Sequence, residues 1–582
     1  MVIGPLLFVF ISWILLYLVK RIVVHAPIHW MSWSFPGPGG LPIVGSIYKL
    51  HEGSHAGQIW FLNESELIIR HNGQSIISFN IFGRIYTIAI TPTSTRMIIC
   101  LIFVVVLLVY LVPKLLRFCR IHGKALSLPG PYGIPIVGTI YKLREGSHVG
   151  LRWMMREAQK LREKGHSIIC FNIASRIYTI PITASAARAL VESHEITSKG
   201  RDYEFIKPWL GEGLLTSSGQ QWKKNRRIIT PTFHFGRLHS YLPAFVKEAE
   251  VFVAIVGKMT DVEVDAYPLL KTCALDIICA TTFGQSFNMQ HNPHHRYVQA
   301  VEGYNRYVQR YSSEVHMWLA PLWYLLHDHK VKTLLKELNE FTEEKMEERI
   351  RYRQMVNKNG TSFADCLLNC HEADELTLQE VYDEVNTFVF AGHDTTSTTM
   401  GWLFWCLATN EDVQRKLHAE IDEVIGDDGH SCIEQKIKEM PYFDQCIKES
   451  MRIYATAPFT ERIVENDFDL DGYILPAGSE VFLSPMLLHH NPMVYENDWE
   501  FDPDRFSPEN VENRNHYNYL PFSGGPRNCI GQRFAMLEVK VVAAIILHSF
   551  RLSSDHEMTY NVPAPEVILR PMQGIPIKFH HR

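Results

Sequence analysis

Residues 521–531 read Pro-Phe-Ser-Gly-Gly-Pro-Arg-Asn-Cys-Ile-Gly, and this stretch decides the fold. One cysteine, Cys529, stands among small and turn-forming residues, just before an apolar stretch that opens near Gln532. The glycines, Gly525 and Gly531 among them, let the backbone turn tightly and approach the sulfur. Amide N–H groups at the start of a helix stabilise a thiolate. Phe522 can shield the sulfur from water, and Arg527 can meet an anionic group nearby. This is a site for a metal-bound thiolate. A lone cysteine in a Gly-rich loop is by default buried and inert, but companions at fixed spacing argue against that here.

Outward from the cysteine, other residue patterns share this chain. Glu449 and Arg452 form E-x-x-R, and at i and i+3 they lie on one helix face. Alone such a pair is usually a solvated surface contact, but Pro503-Asp504-Arg505-Phe506 follows it downstream. From Glu380 to about Asn410 the pattern predicts one long helix, roughly 45 Å at 1.5 Å per residue. Ala391-Gly392-His393-Asp394-Thr395-Thr396 lies midway along it. There Gly and successive Thr weaken helix hydrogen bonding, unless they form only a polar stripe. Trp222 and Arg226 form W-x-x-x-R, with Lys223, Lys224 and Arg227 beside them. That basic cluster is either a solvated turn or a docking face for an acidic partner. The region 457–500 is rich in Pro and Gly and reads as β and loop, whereas 539–550 reads as an apolar helix.

The segment 521–531 resembles the haem-binding signature of cytochrome P450, F-x-x-G-x-R-x-C-x-G, without mismatch at Phe522, Gly525, Arg527, Cys529 and Gly531. Ala535 falls where the longer signature expects a small residue. The other motifs follow in family order over about 450 residues. PWLGEGLL (208–215), TPTFHF (230–235) and GHDTT (392–396) are most similar to family four, the fatty-acid hydroxylase-like, animal microsomal type.

The resemblance implies a mainly α fold with a smaller β region, an α+β haem-thiolate fold behind an N-terminal membrane anchor. Cys529 becomes the axial ligand of the haem iron, and Glu449, Arg452 and Arg505 a buried structural cluster bracing the thiolate loop. Trp222, Arg226 and Arg462 become partners of the haem propionates. Thr395 orients the water chain that protonates bound oxygen, with Asp394 in support. This acid–alcohol pair favours oxygen activation over haem isomerisation. Ala391 stands where many family-four members carry the Glu that esterifies a haem methyl, so haem b is expected without covalent attachment. Ala455 replaces a usual Pro, with little consequence expected.

Composition agrees with a folded enzyme. The chain has 582 residues, 46% apolar and 20% charged, which excludes a disordered polymer. Lys+Arg number 57 and Asp+Glu 62, so the net charge is −5, and no Lys/Arg-dense tract suggests nucleic acid as a partner. The 11 cysteines are scattered without a C-x-x-C pair, which points to a reducing compartment. No histidines show H-E-x-x-H spacing, so none reads as a metal ligand.

The front of the chain is duplicated. Residues 36–57 and 129–150 are identical at 17 of 22 positions, and residues 75–91 and 167–183 at 13 of 17, with offsets of 93 and 92. Two apolar runs, 2–19 and 97–112, are each followed by basic residues. Eighteen helical residues reach roughly 27 Å, close to a bilayer's hydrocarbon thickness. If both runs spanned in series, one basic flank would face the wrong side. Residues 1–96 are therefore expected to be a partial duplicate, a neighbouring exon joined in the gene model, against the alternative of a genuine extension. Residues 97–120 are expected to be the anchor and 121–582 the catalytic domain.

The expected activity is insertion of one oxygen atom from O2 into a lipophilic substrate, a fatty acid or similar chain. Electrons would come from NADPH through NADPH–cytochrome P450 reductase, with cytochrome b5 as a further partner. The expected location is the endoplasmic reticulum membrane, with the catalytic domain cytosolic. The alternatives are a reductase-independent haem isomerase or dehydratase, and a non-catalytic haem-binding product of a broken gene.

Overall fold

Nearly identical sequences in the two copies give the same local structure in different surroundings. Ser75–Ile81 (β1) and Arg84–Ile90 (β2) pair antiparallel, from Ser75 opposite Ile90 to Ile81 opposite Arg84. Ile168–Ile173 (β3) and Arg176–Pro181 (β4) repeat that register, from Ile168 opposite Pro181 to Ile173 opposite Arg176. β-branched and aromatic residues favour this pleated pairing in both. β1 and β2 form a two-stranded sheet. β4 continues into a larger one: it runs parallel to Glu480–Leu483 (β6), which pairs antiparallel with Thr460–Ile463 (β5). The order is β3-β4-β6-β5. Residues 168–172 and 177–181 are buried without alternation, so this hairpin is covered on both faces.

The computed structural model describes residues 75–81, 84–90 and 92–582, apart from 134–136, 140–141, 143–145, 174–175, 234, 314–319, 357–359 and 427–432. It divides into two units, residues 1–123 and 124–582. The first apolar run, 2–19, lies outside the described residues. The second run falls within a 34-residue helix, Pro92–Ala125 (α1), which has Pro113 inside it. Among the described residues, no helix is long and apolar enough to cross a membrane.

The second unit is mostly helical. Gly219–Ile229 (α2), Ala266–Phe283 (α3), Leu378–Ala408 (α4), Pro441–Ile453 (α5) and Gln532–Ser549 (α6) position the site. α4 is the long helix expected from the sequence. Thr377 starts it with a capping box: its hydroxyl accepts from the Glu380 N–H at 3.1 Å, and its own N–H donates to the Glu380 carboxylate at 2.7 Å. α3 and most of α4 are buried nearly all round, α4 with polar residues such as Glu384 and Asp394 among the buried ones. They meet closely where α4 has no side chain: a Cβ at Gly392 would lie 2.5 Å from Ile278 Cδ1. The threonines of the motif donate back along α4, Thr395 to the Ala391 carbonyl at 2.7 Å and Thr396 to that of Gly392 at 2.8 Å. The helix stays continuous through them.

All four strands of the larger sheet come from residues 168–483. A variant lacking residues 1–96 is therefore expected to match the full chain in haem content, membrane attachment and thermal midpoint. Loss of haem or of attachment on truncation would make those residues a working part of the protein.

Candidate active site

The cysteine loop is built on two strained turns. Ser523 and Gly525 have φ of 58° and 63°, and the Cys529 N–H closes the loop onto the Phe522 carbonyl at 3.0 Å. Gly525 is required twice over, since a Cβ there would stand 1.8 Å from the Val191 carbonyl oxygen. Gly531 is different: its φ is −87°, and a Cβ there would meet open space. It is the residue before α6, and its N–H favours the thiolate of Cys529. Cys529 is solvent-accessible because it faces a cavity, and protein otherwise surrounds it. Burial pushes its thiol above the ordinary range, while the Gly531 N–H and the charge of Arg226 pull only part of the way back. The helix start thus supports the thiolate expected from the sequence without being enough to form it.

Phe522, Arg527, Trp222, Arg226, Ala391 and Thr395 line the same cavity as Cys529. Its charged lining residues are Lys199, Arg226 and Arg527, and among the described residues no carboxylate lines it. Arg226 is braced by the Asn528 carbonyl at 2.8 Å and its amide oxygen at 2.7 Å. Arg527 donates to the carbonyls of Thr197 at 2.8 Å and Ser217 at 2.7 Å, and lies 4.0 Å over the Trp222 ring. Burial, then Arg462 close by, brings Arg527 down to about 9. Burial first and these two guanidiniums next hold Lys199 well below its usual range. This is buried positive charge in excess, and it calls for an anion in the cavity.

Two expected residues do not reach the cavity. Arg462 sits on β5 and is not among the cavity's lining residues; one of its nitrogens, Nη1, donates to the Leu190 and Ile196 carbonyls, both at 3.0 Å, with Arg527 near enough to feel its charge. Asp394 is one residue from Thr395, and one helical step rotates a side chain by about 100°. Its carboxylate pairs with Lys271 at 3.0 Å and accepts from the Asn305 amide at 3.2 Å, while Thr395 faces the cysteine cavity. The acid and the alcohol therefore do not face each other in this structure.

Residues 128–579 match the family model described as Cytochrome P450. The chain belongs to the cytochrome P450 family. Among curated proteins, "Cytochrome P450 4V2" of Mus musculus is 34% identical over 501 residues, 82% of this chain and 94% of its own length. "Cytochrome P450 4c3" of Drosophila melanogaster is 31% identical over 513 residues, 81% and 94% of the two chains. The crystal structure of the cytochrome P450DA haem domain shares the fold, with TM-score 0.68 and 22% identity over 78% of this chain and 98% of that one. The chain is a P450 monooxygenase most similar to family four.

The residues fit the haem that this family implies. A cavity with a thiol on one wall, three cations and no carboxylate suits a metal bound to an anionic, otherwise apolar macrocycle. The Ala391 methyl offers nothing for an ester, in keeping with haem b held without a covalent bond.

Beneath the loop this P450 carries the E-x-x-R cluster intact. Arg452 grips Glu449 with two bonds, Nε to Oε2 at 2.7 Å and Nη2 to Oε1 at 2.8 Å, and both side chains are fully buried. Arg505 Nε lies 3.4 Å from the same carboxylate. The remaining Arg452 donors go to the carbonyls of His489, Asp498 and Glu500. His489 passes the support on, because its Nε2 accepts from the Leu520 N–H at 2.9 Å at the root of the cysteine loop.

Sequence reasoning missed His489 as such a brace. It also missed Lys199, and Glu384, whose carboxyl joins the Leu214 N–H at 3.0 Å and the Asn225 amide at 2.9 Å to α4. No short motif marks these three, although E-x-x-R fixes where the His489 backbone must pass. Of the basic residues on α2, Lys223 and Arg227 are exposed, but Lys224 is tied to Glu380 at 2.9 Å.

Arg452→Leu leaves the buried Glu449 carboxylate with only Arg505 at 3.4 Å and the Asp502 N–H, and is expected to cost about 3–5 kcal/mol in urea unfolding, with loss of haem retention. The double variant Glu449→Leu with Arg452→Leu should lose less. A single-variant loss under about 1 kcal/mol would show a pair of the weak surface kind.

Proposed function

We propose that this P450 inserts one oxygen atom from O2 into a lipophilic substrate, a fatty acid or similar chain, with electrons from NADPH delivered by NADPH–cytochrome P450 reductase. The observation that carries the reading is the Cys529 sulfur in a cation-rich, carboxylate-free cavity whose lining includes Thr395. When bound, the haem supplies oxygen activation and the oxidation itself.

The rest falls to the chain. Cys529 Sγ would hold the iron, with the Gly531 N–H favouring its thiolate and Phe522 keeping water from it. Arg226, Arg527 and Lys199 would hold the propionates, with Trp222 packed beneath Arg527. Arg462, its Nη1 held by the Leu190 and Ile196 carbonyls, would add its charge beside Arg527. Glu449, Arg452 and Arg505 keep the loop in place. The Thr395 hydroxyl, now bonded to the Ala391 carbonyl, is one of the hydroxyls of the cavity wall and would pass a proton inward. Asp394 joins that relay only by exchanging its partners Lys271 and Asn305.

Membrane attachment belongs to the same proposal. The apolar run 97–112 would be the anchor, and Lys114, Arg117 and Arg120 after it support a following domain on the cytosolic side of the endoplasmic reticulum. Exposed Lys223 and Arg227 offer positive charge to an acidic redox partner, the reductase or cytochrome b5. Residues 1–96 are read as the partial duplicate and 121–582 as the catalytic domain.

Cys529→Ser is expected to abolish the red-shifted Soret band of the reduced carbon monoxide complex, because a thiolate ligand is its source. Survival of that band removes Cys529 as the ligand. Thr395→Ala should keep haem and substrate binding but divert NADPH oxidation from product to peroxide. Unchanged coupling would take Thr395 out of proton delivery.

A further inference from the structure

The cysteine loop is tied at its root to an imidazole. The Leu520 N–H donates to His489 Nε2 at 2.9 Å, the Ser523 N–H returns to the Leu520 carbonyl at 3.1 Å, and the Cys529 N–H closes on the Phe522 carbonyl at 3.0 Å. Three successive hydrogen bonds lead from His489 to the backbone of Cys529.

A ring nitrogen that accepts an N–H carries no hydrogen of its own, so this contact fixes His489 as a neutral ring with its proton on Nδ1. The side chain is fully buried, and Nδ1 has no hydrogen-bond partner. The adjacent His490 is held the opposite way. Its Nδ1 meets the Asp498 carboxylate and its Nε2 the Ile453 carbonyl, both at 2.8 Å, and two acceptors suit a ring that carries both protons.

The surroundings of His489 oppose a second proton on it. From α5, Arg452 donates to the His489 carbonyl at 3.1 Å, with Glu449 already bound to that guanidinium. His490, paired with Asp498, is its chain neighbour. The Tyr519 ring lies 5.0 Å away and its hydroxyl is spent on the Lys448 carbonyl. Arg162 reaches the Leu487 carbonyl two residues before. Among the described residues no carboxylate pairs with His489. Burial first, then the charges of His490 and Arg452, hold its proton affinity well below the ordinary histidine range, and the backbone of Arg452 and Met451 recovers only part.

We propose that His489 is a positioning residue for Cys529: as a neutral ring it anchors the root of the cysteine loop, and its protonation in acid releases that anchor and the thiolate ligation with it. The role presupposes Cys529 as the thiolate ligand and names the group that keeps it in place. A protonated Nε2 would face the Leu520 N–H donor to donor, leaving a buried amide and a buried imidazolium without acceptors. The ring therefore takes its second proton only once the loop has let go. Its support is complete above about pH 6.5, the value of a free histidine, and is lost as pH falls below it. Between pH 7.5 and 5.5 the released population rises about tenfold.

The reduced carbon monoxide complex of the haem-loaded full chain tests this, read as the rate at which its red-shifted Soret band is lost. The wild-type rate should rise about tenfold from pH 7.5 to 5.5. His489→Gln puts an amide oxygen where Nε2 stands, so it should match the wild type at pH 7.5 and change less than about threefold by pH 5.5. His489→Leu removes the acceptor and should lose the band at pH 7.5 at least as fast as the wild type does at pH 5.5. Equal acid profiles in the wild type and His489→Gln overturn the proposal, as does a haem-replete His489→Leu variant as durable as the wild type at pH 7.5. If neither variant folds, hydrogen exchange of the Leu520 amide in the wild-type chain decides. Its protection, corrected for the intrinsic rate, should fall about tenfold over the same range, and unchanged protection overturns the proposal. A wild-type complex without the red-shifted band refutes the thiolate reading, whereas a band whose loss does not depend on pH refutes this proposal alone.

Discussion

One thiol, held against a cavity and kept from bulk water, sets the terms for the rest of this structure. Burial works against the charged form of Cys529, and a single amide and a nearby guanidinium do not overturn it. The loop must therefore hold the sulfur in place for a metal to complete. It does so with backbone only glycine can adopt at 525, and with support reaching back through Leu520 and His489 to Arg452 and Glu449. The buried ion pair lies far from Cys529 in sequence, yet it fixes the ground on which the loop stands. Such a pair adds little net stability over apolar packing, but removing half of it is severe.

What the sequence made legible was local and periodic. The cysteine loop, α4 with its cap, and E-x-x-R were readable because their residues lie within one or two turns of each other. Side-chain direction was less readable. Asp394 and Thr395 are adjacent in the chain and look toward different surroundings. Arg462 lies outside the cavity lining, with its Nη1 bonded to two carbonyls from residues 190 and 196, which no short window of sequence contains. Lys199 and Glu384 were missed for the same reason: each matters through partners well over a hundred residues away.

The duplicated hairpin shows where local coding stops. Both copies adopt the same register, yet only the second joins a larger sheet, through β6. The choice is made by residues near 480, whose position depends on everything between. A strand's identity can be read from its own residues, but its neighbour cannot.

The contact at Gly392 has a mechanical consequence. Because α4 lacks a side chain there, the Ile278 side chain of α3 packs directly onto the α4 backbone. Close-packed interiors transmit displacement instead of absorbing it. α3 and α4 therefore behave as one stiff beam, and the height of Thr395 above the sulfur is set by that beam and not by whatever molecule arrives. Tyr203 and Leu215 also line the cysteine cavity but belong to neither helix, so a substitution there can reshape it without shifting that beam.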